Sequence, residues 1–322
     1  LSIDISVGAG LNCKDNGENK CKVEFRAGDN AGNFATGTIV TLDIDYVGPT
    51  LTQITAVPSP TSDTTPNYTF NSTEAGAITY GGDCSSATTS AVVGDNTITF
   101  DALSQGTHSN CTITVTDAIG NPSSPLSVNS FTIDATAPTV VNVSSDKANG
   151  SYTVGEVIDI DVTFSEAVTS TGNVTVTLET GTIDRTCVFT VSGAVTGTCN
   201  YTVQVGDTST DLTVASISGT IKDAALNTMT SFVPTTNLAT NKAIVIDTVA
   251  PTVTAFSING ISCSGSPCTA TITTNAAINI VWLATDTGGS LLKHSEVWSG
   301  TDTNNDGDPD SWSQVDGDPN TA

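Results

Sequence analysis

The residues of this chain best suited to chemistry are oxygen donors. The stretch TDTNNDGDPDSW from Thr301 sets Asp302, Asn304, Asp306, Asp308 and Asp310 at alternate positions around Gly307. Hard cations such as calcium take six to eight oxygen ligands, and an acidic loop supplies them in this alternating order with a glycine at the sixth position for the sharp turn. The twelfth position is Ser313 rather than Glu, so the bidentate ligand of a full EF-hand is missing, and a looser extracellular calcium loop is the better comparison. The alternative is a solvated acidic loop with no ion.

A second set of carboxylates and amides recurs along the chain. Asp29 with Asn33, Asp117 with Asn121, and Asp223 with Asn227 frame three short turns, each followed by a strand that ends in Asp45, Asp134 or Asp247. Calcium-stiffened junctions are one reading; the other is that Asp and Asn cap tight turns with their side chains. A turn and the end of the following strand need not share one pole of a sandwich, so a common site is not implied. The third turn has Leu226 where the others have Gly32 and Gly120, which argues against one shared turn geometry.

Eight cysteines fall as Cys13 with Cys21, Cys84 with Cys111, Cys187 with Cys199, and Cys263 with Cys268. One pair per stretch suggests local disulfides in an oxidising space. Zinc is the weaker reading, because a tetrahedral site needs four converging Cys or His and the chain has two histidines. That scarcity also leaves little for a Ser-His-Asp or Cys-His constellation. A carboxylate pair such as Glu156 and Glu166 lacks the aromatic cleft of a glycosidase in a chain that is 5% aromatic. The chain reads as noncatalytic, with His108 and His294 as surface polar residues.

What must position these groups is a set of strands. NTITFDAL, NCTITVTDA and SVNSFTIDA alternate polar with apolar residues, the period of a half-buried strand, between Gly, Asn, Asp and Pro clusters. Residues 48–137 hold about seven such runs and one cysteine pair, the inventory of an Ig-like antiparallel sandwich. Residues 138–250 repeat the pattern with EVIDIDVTFSEAV, NVTVTLET, TCVFTVSG, TCNYTVQVGD and KAIVIDT. The phrase FTIDATAPTVVNV from Phe131 returns as IVIDTVAPTVTAF from Ile244 and, blurred, as LDIDYVGPTLTQI from Leu42. Such spacing marks an array in which each copy closes one module and opens the next. Residues 1–47 read as the closing half of a module and 251–322 as an opening half with the acidic loop. The expected fold is all-β, with tandem Ig-like antiparallel β-sandwich modules in an elongated array.

These phrases, with TDAIGNPS, FSEAV, YTVQVGDTSTDL, IKDAALN and LATDTGGSLLKHSEVW, resemble the Ig-like repeat regions of large bacterial and archaeal cell-surface proteins and adhesins. The likeness covers nearly the whole chain. It implies a stalk, surface-layer element or adhesive shaft, and several such subfamilies hold calcium at module junctions.

Charge narrows the partners. With 33 acidic residues against 9 Lys plus Arg, the formal charge is −24, which repels nucleic acid and anionic membranes and draws in cations. No run of about 18 apolar residues offers a membrane span. The chain opens at Leu1 without an initiator Met and reads as a mature or excised piece, secreted or at a cell surface. Its expected partners are neighbouring modules, or copies of itself joined head to tail if one chain's opening half accepts another's closing half. The rival partner is a glycan or other cell-surface ligand. Trp282, Trp298 and Trp312 cluster near the end and could stack on sugar rings, although Trp282 reads as a core residue. Asn-x-Ser/Thr sequons occur at Asn67, Asn71, Asn110, Asn142, Asn149, Asn173 and Asn200, about as often as chance gives in so Thr- and Ser-rich a chain.

Overall fold

Alternating burial runs through many strands of the two sandwiches. In Thr112–Thr116, Ile113 and Val115 are fully buried while the threonines between them reach the surface, as a period of two demands. The computed structural model describes residues 20–24, 28–35, 39–43, 45, 47–258, 261–263, 280–286, 290, 298–301 and 311–314. Among these the fold is all-β, with one single-turn helix, Leu238–Asn241, capped by the Asn237 side chain. The chain divides into two compact units, Leu1–Thr136 and Ala137–Ala322.

In the first unit Leu51–Thr55, Asn67–Ser72 and Gly94–Thr99 form one sheet. The facing sheet runs Leu126–Ser127, Thr112–Thr116, Gly76–Gly81 and Ser90–Ala91, and Phe131–Ile133 pairs with Gly106–His108. The stretch expected to make one closing strand, SVNSFTIDA, therefore splits into two short ones. Between the sheets lies an aromatic core of Tyr68, Phe70, Phe100 and Phe131, with neighbouring ring centroids 6.1–6.5 Å apart. The Cys84–Cys111 disulfide joins that core. Ahead of this sandwich, Lys20–Glu24 and Ile39–Asp43 pair as an antiparallel hairpin.

The second unit is built on the 14-residue strand Val157–Ser170, which pairs with Val140–Ser144, Ala194–Thr202 and, past a bulge, Ile221–Asp223. A facing sheet holds Arg185–Phe189, Val174–Leu178 and Val214–Ser218. Not every pairing is antiparallel as expected. Gly150–Tyr152 runs parallel to Ile244–Asp247, because the latter strand closes the sandwich beside its opening segment. The core is mainly aliphatic, with Ile158, Ile160, Val176, Leu178 and Leu212 fully buried, and it contains the Cys187–Cys199 disulfide. The two disulfides among the described residues point to an oxidising environment. Beyond this sandwich Thr252–Ile258 pairs with Ile261–Cys263 and Ile280–Thr285, and Trp298–Thr301 pairs with Ser311–Gln314. No helix among the described residues is long and apolar enough to cross a membrane.

Candidate metal centre

The Asp-Asn turn is the first piece of the site. Asp117 Oδ1 accepts the backbone N–H groups of Ile119, Gly120 and Asn121 at 2.7–2.8 Å, and Asn121 Nδ2 donates to Asp117 Oδ2 at 2.8 Å. A short carboxylate can satisfy a reversing backbone in this way without help from other elements. Desolvation opposes ionisation of Asp117, but these hydrogen bonds outweigh it and hold the carboxyl below its ordinary range. Asp29 with Asn33 and Asp223 with Asn227 repeat the same side-chain bonds at 2.8–2.9 Å. Leu226 does not break the pattern as its identity suggests. It adopts φ 71°, in the left-handed region where Gly32 and Gly120 also lie, so the turn imposes its backbone on the residue.

The second piece comes from the segment entering the sandwich. Asp45 stands four residues before Pro49, and its carbonyl accepts a bond from Asn121 Nδ2 at 3.1 Å. Gly48 lies so close to the turn that a Cβ there would fall 2.2 Å from the Pro122 carbonyl oxygen, so only glycine lets the two segments meet.

The third piece is Glu74, two residues beyond Ser72, the strand partner of Leu51. Carboxylate oxygens of Asp45, Glu74 and Asp117 all lie within 4.8 Å of one another. The turn carboxylate of a module thus meets the Asp that precedes its own module. The strand-end residue Asp134 is held elsewhere, accepting from Gln105 Nε2 at 2.8 Å and from the Thr136 N–H.

The same register recurs. Glu166 lies two residues beyond Phe164, the partner of Val140, and a carboxylate oxygen of Glu166 sits within 4.8 Å of one from the buried Asp223. Asp134 precedes Pro138 by four residues, as Asp45 precedes Pro49. Asp286 lies two residues beyond Ala284, the partner of Val253, and Asp247 precedes Pro251 by four. Ser290 joins that pair, its N–H donating to Asp247 Oδ2 at 2.9 Å and its hydroxyl to Asp286 Oδ2 at 3.1 Å. Burial works against the Asp247 charge, yet the bonds from Ser290 and Val249 keep its carboxyl below the usual range. An open cleft of about 780 Å³, lined by Tyr152, Glu156, Asp247 and Ser290 among others, lies beside it.

A further acidic group, Asp146, Asp159 and Asp161, sits on the outer face of the second sandwich. Its carboxylates already accept bonds from the Asp146 N–H, Ser145 and Thr198. Each trio offers oxygen alone, a donor set that suits calcium or magnesium over zinc or copper. Three like charges this close repel one another, and a divalent cation between them would remove that cost.

Sequence reasoning named Asp117, Asn121, Asp134, Asp223, Asn227 and Asp247 as candidates but did not connect Glu74, Glu166 or Asp286 with them. The acidic loop of Asp302, Asn304, Asp306, Asp308 and Asp310, the pairs Cys13 with Cys21 and Cys263 with Cys268, and His294 lie outside the described residues and side chains. So do the side chains of Trp298 and Trp312, while Trp282 is half-buried. His108 corrects the surface expectation. It is buried against the Phe131 ring, with Nε2 donating to the Ser104 carbonyl at 3.0 Å and Nδ1 3.6 Å from Asp83. Pairing of its strand with Phe131–Ile133 carries it into the core. Glu156 stands in a surface ion pair with Lys147 at 3.5 Å. No family model matches the chain, and no curated protein matches its sequence.

Proposed function

We propose that this protein is a noncatalytic, extracellular structural element, a shaft of Ig-like sandwiches in a cell-surface filament, surface layer or stalk, with calcium at its module entrances. The observation that carries the reading is the trio Asp45, Glu74 and Asp117. It draws one carboxylate from the entering segment, one from the end of a strand and one from the turn, so an ion there fixes the direction in which the chain enters the sandwich. The recurrence of this register at Glu166 and Asp286 supports a role common to every copy. An acidic chain would keep its modules apart until cations bind.

Calorimetric titration with calcium is the direct test, read together with limited proteolysis in calcium and in chelator. Binding that raises protease resistance near residues 45–50, and a loss of about tenfold or more in affinity on Glu74→Gln, is the expected result. Equal resistance with and without calcium would sink the proposal.

Head-to-tail assembly is a second reading, favoured by the hairpin that carries Asp29 and Asn33 in the same bonding pattern as the closing turns of both sandwiches. Fibres of separate chains seen by electron microscopy would support it, and a monomeric mass at all concentrations would exclude it. Binding of the purified chain to glycans or cells would favour an adhesive module instead.

A further inference from the structure

The seven sequons are equivalent in sequence and unequal in structure. An acceptor asparagine must project its amide nitrogen into solvent where a saccharide can leave the surface without displacing a bond the fold uses. Asn71 and Asn110 fail this: their Nδ2 groups donate to Asp95 at 2.8 Å and Asp83 at 3.1 Å, across the sheet and between loops. Asn67, Asn142 and Asn149 have their amide planes fixed through Oδ1, which accepts from Thr99, Asn241 and the Ala243 N–H respectively. Asn142 is also only half exposed.

Asn173 and Asn200 differ from these three in having neither side-chain amide atom in a hydrogen bond among the described residues, and both are exposed. Asn173 follows the positive-φ Gly172 and leads into Val174–Leu178, so its side chain stands at the mouth of a turn. Asn200 lies on the outer face of Ala194–Thr202, and the strand period puts Thr202, the hydroxyl of its sequon, on that same exposed face. Tyr201 between them is buried and anchors the strand.

We propose that Asn173 and Asn200 are N-glycan acceptors, one on each sheet of the second sandwich, and that the first sandwich is bare at Asn71 and Asn110. In the transfer the Nδ2–C1 bond forms while the bond from C1 of a lipid-linked oligosaccharide to its diphosphate breaks. The lipid diphosphate leaves, and one amide proton passes to a base of the transferase. The product keeps the amide carbonyl and one N–H, and since the fold uses neither at these positions the sandwich is unchanged.

The test is glycopeptide mass spectrometry on protein from its own cells, followed by Asn173→Gln, Asn200→Gln and the double variant expressed there. Saccharide on both asparagines, loss of one glycan's mass in each single variant and of both in the double variant, is the expected result. Unmodified peptides at Asn173 and Asn200, or saccharide on Asn71 or Asn110, would overturn the proposal. Both substitutions leave the hydrogen-bond network intact, so unaltered melting of the unglycosylated variants separates lost modification from lost fold.

Discussion

The two sandwiches solve one packing problem with different materials. The first fills its interior with four stacked aromatic rings. The second uses aliphatic side chains and buries a charge network: Asp207, only 1% exposed, accepts from Arg185 Nε at 2.7 Å, Tyr201 OH at 2.7 Å and the Gln204 N–H at 2.9 Å. Both nonetheless carry the same Asp-Asn turn ahead of their closing strands, beside a Glu at the same register. Strand pairing and turn chemistry are therefore the repeated features, whereas the core needs only volume and satisfied polar groups.

The largest effects should come from each core's own device. Phe100→Ala should cost the first sandwich about 4 kcal/mol by opening a cavity. Arg185→Met should cost the second about 3 kcal/mol, because Asp207 would keep a buried charge without its cation. Calorimetry that resolves two transitions should show each substitution lowering one of them alone, and a shift of both together would mean that the units unfold as one. Reduction is of comparable size. The chain-entropy argument gives about 3.5 kcal/mol for Cys84–Cys111, whose cysteines are 27 residues apart, and about 2.8 kcal/mol for Cys187–Cys199, 12 apart. Denaturant midpoints of the two cysteine-pair knockouts should follow that order.

Alkaline titration sharpens the contrast. Burial, then the bond to Asp207 and its negative charge, push the Tyr201 phenol up, with Arg185 opposing in part. A raised folded value means that the stabilisation is complete below the unfolded tyrosine value of about 10 and is lost as pH rises through the folded one. Tyr68 and Tyr80 are raised as well, chiefly by desolvation. Tyrosinate absorbance should show Tyr201 ionising last, together with unfolding of the second sandwich, and its absorbance step should disappear in Tyr201→Phe. The smallest change is Leu226→Gly. Relief of the left-handed backbone is worth about 1 kcal/mol, partly offset by glycine's greater unfolded entropy, so a gain of about 0.5 kcal/mol in the second sandwich is expected. Gly120→Leu should lower the first by a similar amount.

Much of the fold was legible because strand alternation and Asp-Asn turns are local. EVIDIDVTFSEAV became one long strand, and the turns kept their bonds even where Leu226 replaced glycine. His108 was misread, since nothing in GTHSN marks it as the strand partner of Phe131. The missing carboxylates were hidden for a related reason. The sequence distance from Asp45, Asp134 or Asp247 to Glu74, Glu166 or Asp286 differs in every copy, because the loop between the first two strands varies in length. Only the count along paired strands is constant.

The sequence by itself determined the all-β class, the strand periodicity, the turns and an acidity that favours cations, because each follows from residues near one another in the chain. Tertiary structure alone decided that Asp117 meets Asp45 and Glu74, that His108 is inside, and that Asn173 and Asn200 face water while Asn71 and Asn110 are bonded. Those outcomes depend on strand register, which is fixed by burying one face of each sheet across the whole sandwich.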